Sequence, residues 1–211
     1  GVDLSGYTNY GSQVIGSNVS TVVDTVTGTP AVDSISLQKG ADVYNVTAGN
    51  DVVDLGAGND QAVFTDALMG NNENTTATID FGAGTDEVVL AASSTAMVDA
   101  DVRGFSNVED LQFGTGTNAA TLGSNAAAAF ATVSGAGGAE TITLTASQPA
   151  IDLGGGADKV VTTNALMIAH SNTTHTIDGG AGADTLEMAA NTTNVVDADF
   201  RGISNIETFL F

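Results

Sequence analysis

The chain has 211 residues, 42% of them hydrophobic, with no tryptophan and only 5% aromatic side chains. Asp and Glu number 25 against 4 Lys and Arg, a formal net charge of −21, and cysteine is absent. This composition excludes disulfides, thiolate zinc sites and cysteine nucleophiles, and it disfavours nucleic acid and anionic membrane surfaces, which need clustered basic side chains.

Residues 1–33 are rich in Ser, Thr, Val and Gly without charge runs, and read as an N-terminal linker or an assembly strand segment. A nine-residue period then begins. Gly40, Gly49 and Gly58 are nine apart, as are Asp42, Asp51 and Asp60, each followed by residues such as Val43, Val52 and Val53. Glycine costs about 1 kcal/mol inside a helix and β-branched residues add to that, so the spacing predicts short strands joined by glycine turns. Residues 66–78 are Asn- and Thr-rich and read as a longer loop with one turn of helix at "ALM". Residues 34–113 form one module, and 114–132 a connector whose Ala run is expected to be briefly helical.

Residues 133–211 form a second module. Residues 47–113 align without a gap to 145–211 at an offset of 98 (152 − 54 = 98), with about half the positions identical. "VDADVRGFSNVEDLQF" lies over "VDADFRGISNIETFLF", and the 66–78 loop lies over 164–176. Fixed-period similarity calls for a repeat architecture. The expected fold class is therefore all-β, as tandem parallel β-roll or β-solenoid modules. In the second copy the nonads are degenerate at Gly138-Ala-Glu140 and Ser147-Gln-Pro149, where Pro149 stands in the place of Asp51 and removes that carboxylate.

One heptapeptide recurs four times: Asp54-Leu-Gly-Ala-Gly-Asn-Asp60, then 80–86, 152–158 and 178–184. Its glycines let backbone carbonyls curl around a point, and its carboxylates add charge. A concave set of such oxygens suits Ca²⁺, which takes 6–8 oxygen ligands, better than Mg²⁺ with its stricter octahedron. Transition metals would want His or Cys, which these turns lack. If each nonad makes one strand and one turn, turns eighteen residues apart stack, as Asp42 and Asp60 would (60 − 42 = 18). Two stacked turns complete a site that one leaves half made, so binding and folding would be linked.

The turns resemble the RTX nonapeptide repeat, Gly-Gly-x-Gly-x-Asp-x-apolar-x. "GGAGADTLE" (179–187) matches at every defined position, whereas "LGAGNDQAV" and "FGAGTDEVV" depart at the first glycine. The resemblance covers roughly 38–90 and 136–188. It implies a parallel β-roll with several calcium ions between stacked turns and folding on meeting extracellular calcium. The implied side-chain ligands are Asp60, Asp86, Asp158 and Asp184, with Asp42 and Asp51 in the less regular nonads. Gly56, Gly58, Gly82, Gly84, Gly154, Gly156, Gly180 and Gly182 would shape the cradles, and Asp54, Asp80, Asp152 and Asp178 would close the site or ligate.

Asp99-Ala-Asp101 and Asp197-Ala-Asp199 offer either a further calcium site or a carboxylate that pairs with the following Arg or caps a turn. His170 and His175 read as solvated loop residues, and the "NTT" matches to a glycosylation acceptor arise freely in a Thr-rich chain. No HExxH, GxSxG or P-loop pattern is present, so an enzyme is not expected. No apolar run reaches the roughly 18 residues of a membrane span, and the chain reads as a mature, processed or excised segment. The expected role is a calcium-dependent structural protein at a bacterial surface, in an S-layer or extracellular matrix, exported by type I secretion. Its expected partner is itself, in a sheet or filament, with cell-surface polysaccharide a candidate attachment. Rival readings are a repeat segment of a large adhesin and the calcium-binding folding module of a secreted enzyme.

Overall fold

Runs of two to five residues between turns are too short for broad sheets standing alone, and here they form the rungs of parallel coils. The structure is a computed structural model that describes residues 1–211 except 4, 5, 7–10, 66, 67, 69–77, 96, 148, 149, 172–174 and 190–194. It divides into two units: Gly1–Ala91 with Ala100–Asp110, and Ala92–Asp99 with Leu111–Phe211. Each is a parallel β-solenoid, as the nine-residue period predicts.

The first unit holds β1 (Val2–Asp3), β2 (Gln13–Ile15), β3 (Thr25–Thr27), β4 (Ser34–Ser36) and β5 (Val43–Asn45). It continues with β6 (Val52–Asp54), β7 (Gln61–Phe64), β8 (Thr78–Asp80), β9 (Glu87–Leu90) and β10 (Phe105–Ser106). Odd strands stack in one sheet, β1-β3-β5-β7-β9, and even strands in another, β2-β4-β6-β8-β10, so consecutive nonads fall on opposite faces of the coil. The register advances by 18 residues, Val26↔Tyr44↔Ala62, and then by 26, Ala62↔Val88, where the longer loop is inserted. Inward side chains therefore stack in columns: Val26, Tyr44, Ala62 and Val88 from one sheet, Ile35, Val53, Ile79 and Phe105 from the other, all buried. Leu37, Leu55 and Phe81 form a third buried column at the turns. The Phe105 ring packs 5.5 Å from Phe64 and 6.1 Å from Phe81, closing the core.

The second unit takes Leu111 and Gln112 from β11 (Asp110–Gln112). It continues with β12 (Asn118–Leu122), β13 (Thr132–Ser134), β14 (Glu140–Leu144), β15 (Ala150–Asp152), β16 (Gly155–Gly156) and β17 (Lys159–Thr162). Its last strands are β18 (Thr176–Asp178), β19 (Ala181–Gly182), β20 (Thr185–Met188), β21 (Ile203–Ser204) and β22 (Thr208–Leu210). One sheet runs β11-β13-β15-β18-β21, another β12-β14-β17-β20-β22, and β16 pairs with β19 within the turns themselves. Ile142, Val160 and Leu186 repeat, 98 positions on, the column of Tyr44, Ala62 and Val88. The alanine run is helical, α1 (Ser124–Ala129), and the "ALM" of the second copy lies in α2 (Asn164–Ser171). Apart from Leu68, which is helical, the "ALM" of the first copy lies outside the described residues, as do Pro149 and the "NTT" sequences. Segment 1–33 supplies β1, β2 and β3 to the coil, and 114–132 supplies β12 and α1. No described helix is long and apolar enough to cross a membrane.

Candidate metal centre

The repeated glycine turns end on an acidic residue just before a strand or, at Glu140, on its first position, and the coil stacks these residues in a row. In the first unit the Asp24 N–H donates to Asp42 Oδ1, Asp42 N–H to Asp60 Oδ1, and Asp60 N–H to Asp86 Oδ1, each at 2.7 Å. Asp86 N–H donates to Glu109 Oε2 at 2.8 Å. In the second unit Glu140 N–H donates to Asp158 Oδ1 (2.7 Å), Asp158 N–H to Asp184 Oδ1 and Asp184 N–H to Glu207 Oε2 (both 2.8 Å). One oxygen of each aspartate in the row, and of Glu109 and Glu207, thus replaces the acceptor that a strand pair would have supplied, whereas Glu140 Oε1 accepts from Asn118 Nδ2 (2.8 Å). The other oxygen is left over. Oδ2 of Asp42, Asp60, Asp86, Asp158 and Asp184, and Oε2 of Glu140, are buried with no hydrogen-bond partner among the described residues.

An ionised carboxylate with one bare buried oxygen is costly, so it gains a proton or a cation. Burial pushes the Asp42, Asp86 and Asp158 carboxyls upward, Asp60 to about 6 and Glu140 to about 7, with neighbouring carboxylates in the row adding repulsion.

The glycines lie beside this row. Gly82 has φ +90° and Gly180 has φ +81°, and a Cβ on either would fall on the carbonyl oxygen of the glycine one coil earlier, Gly56 or Gly154. Gly58 and Gly84 in the first unit, on the carbonyls of Gly40 and Gly58, and Gly156 and Gly182 in the second, on those of Gly138 and Gly156, form a second column in each. A Cβ on Gly84 or Gly156 would overlap the carbonyl oxygen of Gly58 or Gly138, and it would stand 3.1 Å from the amide-bound Oδ1 of Asp86 or Asp158. Hard oxygen donors of two kinds therefore meet at the turns. Among the described residues no three Asp, Glu or His side chains gather closely enough to hold an ion, so turn carbonyls would make up the rest of any ligand set.

No protein-family model, curated protein or solved structure matches the chain.

The other predicted residues go elsewhere. Asp51 stands on the opposite side of the coil in a shorter row, where Ser12 N–H donates to Asp33 Oδ1 (2.7 Å) and Asp33 N–H to Asp51 Oδ1 (2.8 Å). Both carboxylates are satisfied there, Asp51 Oδ2 by the Tyr44 hydroxyl (2.7 Å) and Asp33 Oδ2 by Thr29 N–H (2.6 Å). Asp54 is paired in register with Asp80, and Asp152 with Asp178, at the outer edge of the turn. Asp80 Oδ1 accepts from Gly82 N–H (3.1 Å) and Asn107 Nδ2 (2.7 Å), and Asp178 Oδ1 from Gly180 N–H (3.0 Å) and Asn205 Nδ2 (2.6 Å). They brace the turns from outside, and Asp152 does the same for Gly154 N–H at 3.1 Å. Asp99 caps α1, accepting from Gly123 N–H and Ala126 N–H, while Asp199 Oδ2 caps its own turn through Val196 N–H (2.9 Å). Glu109, Glu207 and Asp24 join the row without having been singled out by sequence. The signal for the two glutamates lay in the duplication, which places an acid at 109 and 207 alike.

Proposed function

We propose that the chain is a calcium-dependent structural repeat protein in which Ca²⁺ binds along the Asp/Glu row at the stacked glycine turns. The observation that carries this reading is the file of buried carboxylate oxygens with no described partner, on side chains whose other, amide-bound oxygens lie along the glycine turns. Asp42, Asp60 and Asp86 in one unit, and Glu140, Asp158 and Asp184 in the other, would hold the ions with carbonyls of the adjoining turns. When bound, the ion supplies charge neutralisation to a row that otherwise repels itself, so folding strengthens with calcium. The absence of catalytic motifs, the repeat architecture and the formal charge of −21 support a surface or matrix assembly, S-layer-like, exported through a type I route. The test is calcium titration of EDTA-treated protein, followed by circular dichroism and sedimentation. Strand content and sedimentation coefficient should both rise with calcium, and identical spectra with and without it would sink the reading.

A further inference from the structure

The recurring heptapeptide has a further version, written without acids. Gln112-Phe-Gly-Thr-Gly-Thr-Asn118 lies over Asp80-Phe-Gly-Ala-Gly-Thr-Asp86, with Gln in place of the first Asp and Asn in place of the last. The second unit stacks this turn with the others. A Cβ on Gly138 would fall on the Gly116 carbonyl, just as one on Gly156 would fall on that of Gly138. Asn118 is paired in register with Glu140, and it is buried. Its Oδ1 accepts from Ser94 N–H (2.9 Å), as Asp158 Oδ1 accepts from Glu140 N–H. Asn118 therefore holds the row position of its turn.

What differs is the second terminal atom of the side chain. Asp158 and Asp184 carry an Oδ2 that meets no described donor. Asn118 carries Nδ2, which donates to the Gly114 carbonyl (2.8 Å), the Gly116 carbonyl (2.9 Å) and Glu140 Oε1 (2.8 Å). The Ser94 amide can meet only an oxygen and those three acceptors only a nitrogen, so the carboxamide has one orientation. Three oxygens thus surround a group that has two hydrogens. They are two turn carbonyls and a carboxylate, the donor types that hold a hard cation. Gln112 repeats the exchange at the head of the turn. Its Nε2 donates to the carbonyls of Gly135 (2.8 Å) and Phe113 (3.0 Å), whereas Asp152 and Asp178 accept from Gly154 N–H and Gly180 N–H in that place.

We infer that the 112–118 turn is an ion-free member of the calcium row, in which the Asn118 carboxamide nitrogen takes the cation's place. The inference deepens the calcium reading above and rests on it. A neutral amide that satisfies its neighbours by itself makes no demand on calcium, so this rung is fastened by the sequence alone. Changing one atom reverses that. With Asn118→Asp the Gly114 and Gly116 carbonyls and Glu140 Oε1 face another oxygen with no hydrogen between them. Such a buried group is unfavourable until a cation completes it.

Equilibrium dialysis against calcium, with urea denaturation in calcium and in EDTA, tests this on the full chain. Asn118→Asp should bind one more calcium per chain than the unaltered protein. Its folding equilibrium constant in EDTA should drop about tenfold or more, and calcium should recover most of that loss. Asn118→Ala removes the donor and adds no ligand. It should bind no additional calcium and stay destabilised in saturating calcium. An Asn118→Asp chain that gains no ion, that calcium fails to rescue, or that does not fold even in calcium would overturn the inference. So would an Asn118→Ala chain as stable as the unaltered one. If the unaltered protein binds no calcium, the calcium reading and this inference fall together. If it binds calcium and Asn118→Asp gains no ion, this inference falls alone.

Discussion

Two rows of carboxylates run along the first solenoid, and they solve the same problem differently. Asp33 and Asp51 each give one oxygen to a backbone amide and the other to a donor supplied by the fold, Thr29 N–H or the Tyr44 hydroxyl. Asp42, Asp60 and Asp86 give one oxygen to an amide, and the other meets no donor among the described residues. The difference teaches that a repeated Asp in a glycine turn is first a backbone cap. It becomes a candidate ion site only where the second oxygen is left bare.

The severest way to break the comparison is to separate the turns. Gly82→Ala places a Cβ against the Gly56 carbonyl at φ +90°, and should destabilise the protein by about 3 kcal/mol or more in urea denaturation, with calcium unable to restore it. Next, Tyr44→Phe strips the satisfied row of its donor and should cost about 1–3 kcal/mol, equally in EDTA and in calcium. Smaller again is Asp60→Asn, which keeps an acceptor for the Asp42 amide and removes the bare charge. Its stability in EDTA should change by less than about 1 kcal/mol, but the calcium-induced rise in denaturation midpoint should shrink, and an undiminished rise would remove Asp60 from the site.

The most diagnostic effect is that of pH. The Asp60 carboxyl is raised to about 6 in the fold against an unfolded value of 3.8, so the folded state holds the proton more tightly. Calcium-free stability should therefore fall as pH rises from about 4 to about 6, with Glu140 extending the fall to about 7. Calcium, which replaces the proton, should flatten that slope. A calcium-free midpoint that instead climbs from pH 4 to 7 would show that the row is not under electrostatic strain.

Much of this was legible in the sequence. The nine-residue spacing of Gly40, Gly49 and Gly58 is a statement about local chain geometry, and it yielded the alternating faces and the 18-residue stack of Asp42 under Asp60. The duplication carried the same register to Asp158 and Asp184. What local spacing could not reveal was how each carboxylate is satisfied. Tyr44 occupies an inward position of its nonad, and only the folded coil brings its hydroxyl to Asp51. The same holds for Glu109, 23 residues from the amide it caps, and for Asp99, whose donors lie more than twenty residues downstream.

The coil also tolerates unequal lengths. Asp42 to Asp60 is 18 residues and Asp60 to Asp86 is 26, yet the amide-to-carboxylate distance is 2.7 Å in both. The eight additional residues fall between Phe64 and Thr78 in the first copy and between Thr162 and Thr176 in the second, and the chain is back in register at Thr78 and Thr176. That insertion is a docking port in the engineer's sense. A foreign epitope or small domain spliced there should leave the rungs on either side in alignment.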